Sequence, residues 1–448
     1  MSGAGTEPIA AASRSSRAAI AALVEDERVH RDLYLSEALF ALEQKHFFAN
    51  TWNYVGHASQ VPNAGDYISL DLAGRPLVMV RHDDGSVRVL YNRCAHKGTP
   101  LVTDRSGNTG RFFRCPYHAW TYRLDGSLRA VPLASGYEGT GFDPAAAGQG
   151  MKAPAGVASH RDFVFVKLNP GGPDFASYFG EALASIDKLV DRSPVGRLRI
   201  EGGCLRTLIR CNWKTYLENI NDTVHPLSTH ESATAAAGKL WQGRAVEVPQ
   251  PMAIEQILPF GAGHDFFDRM GGRVLPNGHS VLGTSFSIHS GYAALPDYEA
   301  AMRQAHGAER AAEILQHSPQ NALCYPSLAL KGSPQAIRVI RPLAADRTVV
   351  EAWSFRVEGS PDLLFERSVT YNRLAFSPMS VVAYDDMHLF QGIQKSLRAE
   401  GNEWVSLHRG FGAGELATPT RDVNGTNELL MRNQYRAWVK FMTLDMDE

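Results

Sequence analysis

The sequence predicts an α+β protein in which a small antiparallel β domain is inserted into a larger domain of mixed helices and strands. The chain has 448 residues, more than one hydrophobic core usually serves. From about residue 52 to residue 130, short alternating stretches such as DYISLDL and PLVMVR are separated by turns rich in Gly and Asp, which is typical of antiparallel strands. Strand-like and helical stretches are mixed in the remainder.

The first elements divide the chain into domains. Residues 1–22 are rich in Ala, Ser and Gly, and we expect a flexible segment there. A helical pattern follows, and its apolar face consists of Leu33, Leu35, Leu39, Phe40, Leu42 and Phe47. We assign residues 45–165 to the small β domain, and residues 23–44 and 166–448 to the larger domain.

Several further elements are predicted in the second part of the chain. FVFVKL and LRIEGGCLRTLIR are typical of strands, whereas SYFGEALASIDKLV and residues 213–225 are typical of helices. AIRVIRPL and TVVEAWSFRV predict two antiparallel strands. Helices are expected at 386–399 and near the C-terminus.

Composition and charge argue against several classes of function. Hydrophobic residues make up 44% and charged residues 21%, which is ordinary for a globular protein. The net charge of −2, without a basic stripe, disfavours nucleic acid or an anionic membrane as partner. No apolar run of about 18 residues occurs, and no signal-peptide pattern is found at the N-terminus. We therefore expect a cytoplasmic protein.

Four potential metal ligands lie in the stretch CAHKGTPLVTDRSGNTGRFFRCPYH. Cys94 and His96 form one pair, and Cys115 and His118 form the other. A zinc site of two cysteines and two histidines uses the same residue types, and chance pairing is a further alternative. We favour a [2Fe–2S] cluster because each half supplies one thiolate and one imidazole, which suits two cysteines on one iron and two histidines on the other. Each half also lies at a turn between β stretches, so that two loops can enclose a cluster.

These pairs resemble the Rieske motif, C-x-H…C-x-x-H. Trp120, shortly after the second pair, agrees with that resemblance. Two neighbours depart from it, because Lys97 stands where Arg is commoner and Ala119 where Gly is commoner. Neither residue is a ligand. A Rieske cluster carries one electron and makes no bonds itself, so the larger domain needs a separate explanation.

A second group of polar residues lies in NWKTYLENINDTVHPLSTHE. In a helix over 213–225, Glu218, Asp222 and His225 share one face, with Asn219 beside them and an apolar stripe on another face. A proline directly after His225 ends or bends this helix, and His230 then converges on His225 from the next segment. Two such histidines are usually buried, satisfied imidazoles or surface groups. An electron carrier in the same chain instead favours a mononuclear iron held by two imidazoles and one carboxylate.

The third iron ligand must come from elsewhere in the chain. The stretch SVVAYDDMHLFQGIQKSL places Asp385 and Asp386 at the start of the helix predicted over 386–399. Asp386 shares a face with Phe390, Ile393 and Leu397, so we expect it to point inward, whereas Asp385 does not lie on that face. A surface acid at a helix N-terminus is the alternative for either residue. We favour Asp386 as the ligand.

From about residue 35 to the C-terminus, the sequence resembles the catalytic α subunits of Rieske non-haem iron ring-hydroxylating oxygenases. The resemblance rests on the Rieske pairs, on E-N-x-x-D-x-x-H-x-x-x-x-H at 218–230, and on an acid followed five residues later by Gln (Asp386, Gln391). It implies a Rieske β domain and a catalytic domain whose curved antiparallel sheet is wrapped by helices. It also implies one [2Fe–2S] cluster and one mononuclear Fe(II) in each chain.

The resemblance also assigns roles and partners. Asp222 would bond His225 and reach a Rieske histidine, His118 of the partner subunit, with Asn219 adjacent to the ligands. Coupling across subunits implies a ring, most simply a trimer of α subunits. A small β subunit is compatible with the motifs but not required by them. Because no dinucleotide-binding fingerprint occurs in the sequence, electrons from NAD(P)H would arrive through a separate reductase, with or without a ferredoxin.

The expected reaction is cis-dihydroxylation of an aromatic compound by O₂. Monohydroxylation or oxidative demethylation is the alternative outcome at the same iron. The segments GTNELLMRNQYRAW and DDMHLFQGIQ look most like members acting on aromatic carboxylates, whose acid group would need a cation such as Arg210, Arg338 or Arg341. Each arginine has an alternative role in a structural or surface ion pair. An electron-transfer Rieske protein without oxygenase chemistry and a zinc-containing ligand-binding protein are alternatives from other classes.

Overall fold

The computed structural model describes two regions of the chain that match the predicted α+β class. The described residues are 16–146, 148–242, 248–284, 286–412, 415 and 420–446. A smaller β region contains both Cys–His pairs, and a larger region contains an extended antiparallel sheet covered by helices. None of the described helices is both long enough and apolar enough to cross a membrane.

The described residues form twenty strands and sixteen α-helices. The strands are β1 Arg28–His30, β2 Asn53–His57, β3 Asp66–Leu72, β4 Arg75–Arg81, β5 Val87–Tyr91, β6 Ser106–Asn108, β7 Phe112–Arg114, β8 Thr121–Arg123, β9 Leu128–Ala130, β10 Gly156–His160, β11 Phe163–Lys167, β12 Leu198–Ile209, β13 Gly272–Val274, β14 Ser280–Leu282, β15 Asn321–Cys324, β16 Leu328–Lys331, β17 Ala336–Ala344, β18 Arg347–Val357, β19 Trp404–Ser406 and β20 Arg421–Val423. The helices are α1 Arg17–Ala21, α2 Asp32–Leu35, α3 Glu37–Leu42, α4 Phe48–Asn50, α5 Phe175–Phe179, α6 Leu183–Val190, α7 Trp213–Ile220, α8 Pro226–Thr229, α9 Glu231–Trp241, α10 Met252–Ile257, α11 His264–Met270, α12 Pro296–His306, α13 Ala308–Gln316, α14 Asp362–Phe376, α15 Val381–Ser396 and α16 Leu429–Met442.

The larger region is built on an eight-stranded antiparallel sheet. Its strand order is β12-β18-β17-β16-β15-β14-β13-β20. The predicted strand pair in AIRVIRPL and TVVEAWSFRV corresponds to β17 and β18. The pairing of β12 with β18 shifts register between Glu201 and Cys204, where Gly202 and Gly203 both have a φ of +82°. An insertion of this kind bends a strand and increases its twist. Helix α14 packs against β18 and β12.

The small β region contains three short sheets. Their orders are β5-β4-β3-β6, β10-β11-β2 and β7-β8-β9. One apolar cluster, which includes Phe113, Trp120 and Tyr122, surrounds the two cysteines of the Cys–His pairs. A second cluster lies between β4 and β11 and joins two of the sheets. The two Cys–His loops are therefore supported by a core of their own.

The N-terminal part of the chain packs into the core of the larger region. Residues 1–15 of the predicted flexible segment lie outside the described residues, whereas Arg17–Ala21 form a short helix and the side chain of Ile20 is buried. The apolar face predicted after this segment is divided between α2, α3 and a π-helical turn, Glu43–Phe47. The Glu43 carboxylate accepts hydrogen bonds from Lys214 Nζ (2.5 Å), Trp213 Nε1 (2.9 Å) and Trp438 Nε1 (2.8 Å). Glu43 thus joins the N-terminal segment to α7 and α16.

Two predicted helices have different bounds in the structure. The helix predicted over 213–225 ends at Ile220, because Asn221 leaves helical geometry and Asp222 then bonds the following backbone. The helix predicted over 386–399 begins earlier, at Val381, where the side chain of Ser380 accepts a hydrogen bond from the Ala383 amide and caps the helix.

Candidate functional site

Both Cys–His loops have the same backbone conformation. The first follows β5, and the second connects β7 to β8. In each, the cysteine amide donates to the carbonyl five residues later, at Thr99 and Trp120 (2.8 Å in both cases). The residue four positions after each cysteine donates back to the cysteine carbonyl and has a positive φ, +82° at Gly98 and +57° at Ala119. The loops therefore present their cysteine and histidine side chains in the same way.

The four side chains of these loops converge at one end of the small region. Cys94 and Cys115 are buried, and the His96 and His118 ring centroids lie 4.7 Å apart. Trp120 stacks on His96 with an interplanar angle of 5°. His96 Nδ1 is buried and has no hydrogen-bond partner, so this nitrogen is free to bind a metal. Two thiols and two imidazoles in matched loops fit a [2Fe–2S] cluster.

The surroundings of the two pairs differ between the cysteine and histidine sides. The hydroxyl of Tyr122 lies 3.1 Å from Cys94 Sγ and accepts a hydrogen bond from the Ala95 amide (3.0 Å), so its own proton is directed at the sulfur. On the opposite side, His118 is exposed, and Tyr117 is 64% exposed. The histidine side of the pairs therefore faces outward.

The second group of polar residues is arranged by α7, the turn after it and α8. Asp222 accepts hydrogen bonds from the Val224 amide (2.9 Å) and from the Nδ1 of His225 (3.0 Å). A ring whose Nδ1 donates to a carboxylate leaves Nε2 without a proton and available as a ligand. Pro226 begins α8, and His230 follows its last residue. The short helix brings the two histidines to one place, with ring centroids 5.6 Å apart.

Asp386, on α15, completes a group of three potential metal ligands. One ligand atom from each of His225, His230 and Asp386 lies within 4.8 Å of the others. The Asp386 Oδ1 atom is 3.8 Å from His225 Nε2 and 3.6 Å from His230 Nε2. Two imidazoles and one carboxylate facing a single point fit the donor set of a non-haem Fe(II) site, which leaves positions open for other ligands.

Two acidic residues near this group, Asp385 and Glu218, differ from the sequence-based expectation. Asn219 lies beside the ligand atoms, since its Nδ2 is 3.1 Å from His225 Nε2 and 3.4 Å from Asp386 Oδ1. Asp385 is close to the other side of His230, with 3.5 Å between its Oδ2 and the Nδ1 of His230. Glu218 does not share the face of Asp222, because the helix ends between them. Its carboxylate instead accepts hydrogen bonds from the hydroxyls of two buried tyrosines.

Burial and charge set the protonation of these groups. Burial lowers the pKa of His230 and keeps its imidazole neutral, as metal binding requires. Burial by itself would lower the pKa of His225. The hydrogen bond from His225 to Asp222 and the nearby Asp386 carboxylate raise that pKa overall. Burial raises the pKa of Asp386 despite both imidazoles. Burial would raise the pKa of Asp222, yet the hydrogen bonds from His225 and the Val224 amide, together with the charges of His225 and Arg409, outweigh it and the pKa is lowered.

Only one of the three arginines expected to bind a substrate acid lies near the ligand group. Arg210 is exposed, so it faces solvent. Arg341 donates to the Tyr54 carbonyl (2.8 Å), on the sheet face opposite to Arg338, because side chains alternate along β17. Neither side chain is therefore placed to bind a substrate acid beside the ligand group, which corrects the expectation for Arg210 and Arg341. Arg338 is buried and donates to Asn321 Oδ1 (2.5 Å).

Sequence reasoning missed several residues around the ligand group. Phe260 contacts the His230 ring edge-on, with 5.6 Å between ring centroids, and a further histidine, His289, lies 6.0 Å from Phe260. Tyr216, on α7, is near both Arg338 and Asp386. Lys331 is buried at the end of β16. Lys331 had a detectable signal, since a lysine at the end of the short apolar strand LALK is unusual.

Comparisons with known proteins agree with this arrangement. The family described as Rieske [2Fe-2S] domain matches residues 51–140, and the family described as ring hydroxylating alpha subunit (catalytic domain) matches residues 189–444, more than half of the chain. The large subunit of anthranilate 1,2-dioxygenase from Acinetobacter baylyi is 29% identical over 389 residues, covering 86% of this chain and 80% of the relative. Biphenyl dioxygenase subunit alpha from Paraburkholderia xenovorans is 28% identical over 449 residues, covering 95% and 93%.

The fold is also found among solved structures. Naphthalene 1,2-dioxygenase from Rhodococcus sp., bound to indole, superposes with a TM-score of 0.75 at 21% identity, covering 94% of this chain and 95% of the other. The sequence-based prediction of the family and of the fold class is confirmed. The chain belongs to the α subunits of ring-hydroxylating dioxygenases, oxidoreductases that use a Rieske [2Fe–2S] cluster and a mononuclear iron.

Proposed function

We propose that this protein is a terminal oxygenase component that uses O₂ and NAD(P)H-derived electrons to cis-dihydroxylate an aromatic compound. The observation that carries the proposal is the convergence of His225, His230 and Asp386, whose ligand atoms lie within 4.8 Å of one another. The electrons reach the chain from a separate cytoplasmic reductase, directly or through a ferredoxin. When bound, the cluster supplies single electrons and the mononuclear iron supplies O₂ activation.

In this proposal, each residue of the two centres has a separate task. Cys94, Cys115, His96 and His118 hold the cluster. His225, His230 and Asp386 hold the mononuclear iron. Asp222 fixes the His225 ring by accepting the hydrogen bond from its Nδ1, and the Asn219 amide donates to the Asp386 carboxylate. A carboxylate that orients a ligand imidazole typically changes metal affinity about 10–100-fold.

We further propose that electrons pass between subunits of a trimer. Asp222 also lies near solvent, with 19% of its side chain exposed, and His118 is exposed on the small region. Contact between Asp222 and His118 of the partner subunit would provide a short path of hydrogen bonds from one centre to the other. Such a head-to-tail contact closes into a ring. Whether a small β subunit joins the trimer can be tested by co-purification.

A metal analysis tests the first part of the proposal. Anaerobically purified protein should contain about three iron atoms and two acid-labile sulfides per chain, with a brown colour that dithionite bleaches. The Asp386→Ala variant should lose about one iron and all turnover while keeping the cluster spectrum. His388→Ala is the matched control, since His388 is exposed on the same helix. Zinc without sulfide would refute the proposal.

Product analysis with isotopically labelled dioxygen tests the reaction. A cis-dihydrodiol carrying both labelled oxygen atoms is the expected product from an aromatic substrate. A phenol or a demethylated product carrying one labelled atom would instead identify the enzyme as a monooxygenase. If the Asp386→Ala variant loses turnover while its cluster still takes up electrons, either oxygenase reaction is distinguished from simple electron transfer.

Mixing two inactive variants tests the path between subunits. His118→Ala removes a cluster histidine, and Asp386→Ala removes an iron ligand. In a mixed trimer, the intact cluster of one chain adjoins the intact iron site of its neighbour, so turnover should return. Transfer within a single chain predicts no recovery on mixing, because every chain then lacks one of the two centres.

A further inference from the structure

Two buried cations lie next to each other on the large sheet, on the side that faces the ligand group. Lys331, at the end of β16, is 3% exposed, and Arg338, on β17, is 5% exposed. Arg338 pairs with Ala329, and Lys331 lies two residues after Ala329, so both cationic side chains project from the same face of the sheet. Helix α14 covers them, with Tyr371 over Lys331 and Phe376 over Arg338.

Neither cation forms an ion pair with a described residue. Arg338 donates to the neutral side chain of Asn321, and the Lys331 ammonium has only the ring of Tyr371, 5.4 Å away. Two other buried cations are ion-paired, Lys214 with Glu43 and Arg432 with Glu415, whereas buried Arg192 and Lys167 donate to backbone carbonyls. A buried charge without a counter-ion is strongly unfavourable. Burial, followed by the charge of Arg338, lowers the pKa of Lys331 well below its ordinary value, so a bound anion would be needed to keep its ammonium charged.

Two series of side-chain contacts connect Lys331 and Arg338 to the proposed iron ligands. Burial raises the pKa of Tyr216, the charge and hydrogen bond of Arg338 lower it, and the Asp386 carboxylate raises it, so Tyr216 is near both charged groups. On the other side, the His289 ring lies 4.7 Å from that of Tyr371, the residue that covers Lys331. Phe260 connects His289 to His230 by ring contacts.

Buried polar atoms around the two cations also lack hydrogen-bond partners. Arg338 Nε and His289 Nε2 are both buried without a partner. Burial, followed by the charge of Lys331, lowers the pKa of His289 well below its ordinary value, so His289 is neutral. An acceptor with negative charge would satisfy the Lys331 ammonium and the Arg338 Nε–H together.

We propose that Lys331 and Arg338 form the subsite that binds the carboxylate of an aromatic acid substrate. The aromatic ring then extends from these cations, past Tyr216 and His289, toward His225, His230 and Asp386. This inference rests on the proposed oxygenase function and specifies its substrate class. It also assigns Lys331 a binding role, with charge-assisted hydrogen bonds to the acid.

Binding of matched acid and neutral probes tests the subsite. Benzoate and nitrobenzene have nearly the same shape, but only benzoate is charged, and naphthoate and nitronaphthalene form a larger pair. Calorimetry on anaerobic protein with cluster and iron should measure the affinity of each probe. Any acid that binds should do so with an affinity about tenfold or more above that of its nitro counterpart. Lys331→Met should remove this preference and change nitro-compound binding by less than about twofold. Lys331→Arg should retain it.

The control variant is Arg210→Met, which removes an exposed cation and should leave all affinities unchanged. The subsite is refuted if neither acid binds more tightly than its nitro counterpart, or if Lys331→Met weakens both members of a pair equally. The two proposals fail separately. Oxygenation of the neutral aromatics without any acid preference would preserve the oxygenase function and reject the subsite. A Lys331-dependent acid preference in protein that never consumes O₂ would preserve the subsite and reject the oxygenase function.

Discussion

Replacing Tyr122 with Phe should lower the reduction potential of the cluster. The Tyr122 hydroxyl lies 3.1 Å from Cys94 Sγ, and the Ala95 amide occupies its acceptor side. Its proton is therefore directed at the sulfur, where it stabilises negative charge. The reduced cluster carries one electron more than the oxidised cluster, so the hydrogen bond is stronger in the reduced state. Phe keeps the ring, which is fully buried, and removes only this bond.

The size of the effect follows from the strength of one hydrogen bond. A hydrogen bond to a charged group contributes about 1.5–3 kcal/mol. If about 1 kcal/mol of this develops on reduction, the potential should fall by roughly 40 mV, because 59 mV corresponds to a tenfold change for one electron. The loss of an acceptor for the Ala95 amide adds a smaller destabilisation of the loop.

A redox titration followed in the visible spectrum measures this shift. Tyr67→Phe is the matched control, since Tyr67 packs in the same apolar cluster and, among the described residues, its hydroxyl forms no hydrogen bond with either cysteine. Iron and sulfide contents must equal those of the wild type, so that cluster loss is not mistaken for a shift. A Tyr122→Phe potential within about 10 mV of the wild type would refute the reasoning.

Three further predictions concern stability and metal binding. Lys214→Met leaves the buried Glu43 carboxylate without its cation, so urea unfolding followed by tryptophan fluorescence should show a loss of about 3–5 kcal/mol, much of it regained with Glu43→Gln. Asp385→Ala removes the group near His230 Nδ1 and should weaken Fe(II) binding about 10–100-fold in chelator competition, while an unchanged affinity would contradict this role. Burial raises the pKa of Glu218 from 4.5 to about 6, which favours its protonated form in the folded state. Stability should therefore fall by about 2 kcal/mol as pH rises from 4.5 to about 6, and Glu218→Gln should lack this decrease.

The local motifs were predictable because their residues are close in the chain. The spacing of Cys94, His96, Cys115 and His118 indicated two similar loops, and the structure describes both with the same backbone bonds. Their ligand role stays a prediction until a cluster is measured. The positive φ of Ala119, where a glycine is commoner, marks the one position at which the second loop is strained.

Helix bounds were less predictable because short polar side chains compete with the helix. Asp222 bonds the backbone of Val224 and ends the regular geometry that the apolar periodicity of 213–225 suggested. Ser380 has the opposite effect, because it caps α15 five residues before Asp385. A search for capping residues before the apolar face would have found this earlier start.

Contacts between distant strands could not be derived from periodicity. The alternation of side chains along β17 already separates Arg338 from Arg341, but only the folded sheet shows which face meets α7. Lys331 and His289 approach the same place from segments that no local pattern connects. Which charged or neutral groups surround Lys331 and Arg338 likewise depends on contacts that only the folded chain makes.

The hydrogen bond between Glu43 and Trp438 has a consequence for biosynthesis. The two residues are 395 positions apart. At a translation rate of about 5–20 residues per second, Glu43 waits roughly 20–80 s for this partner. The strands of the small β region are complete by Lys167, long before α16 is made. The small region therefore has time to fold on the ribosome, whereas the core that joins both ends of the chain closes only after synthesis is almost finished.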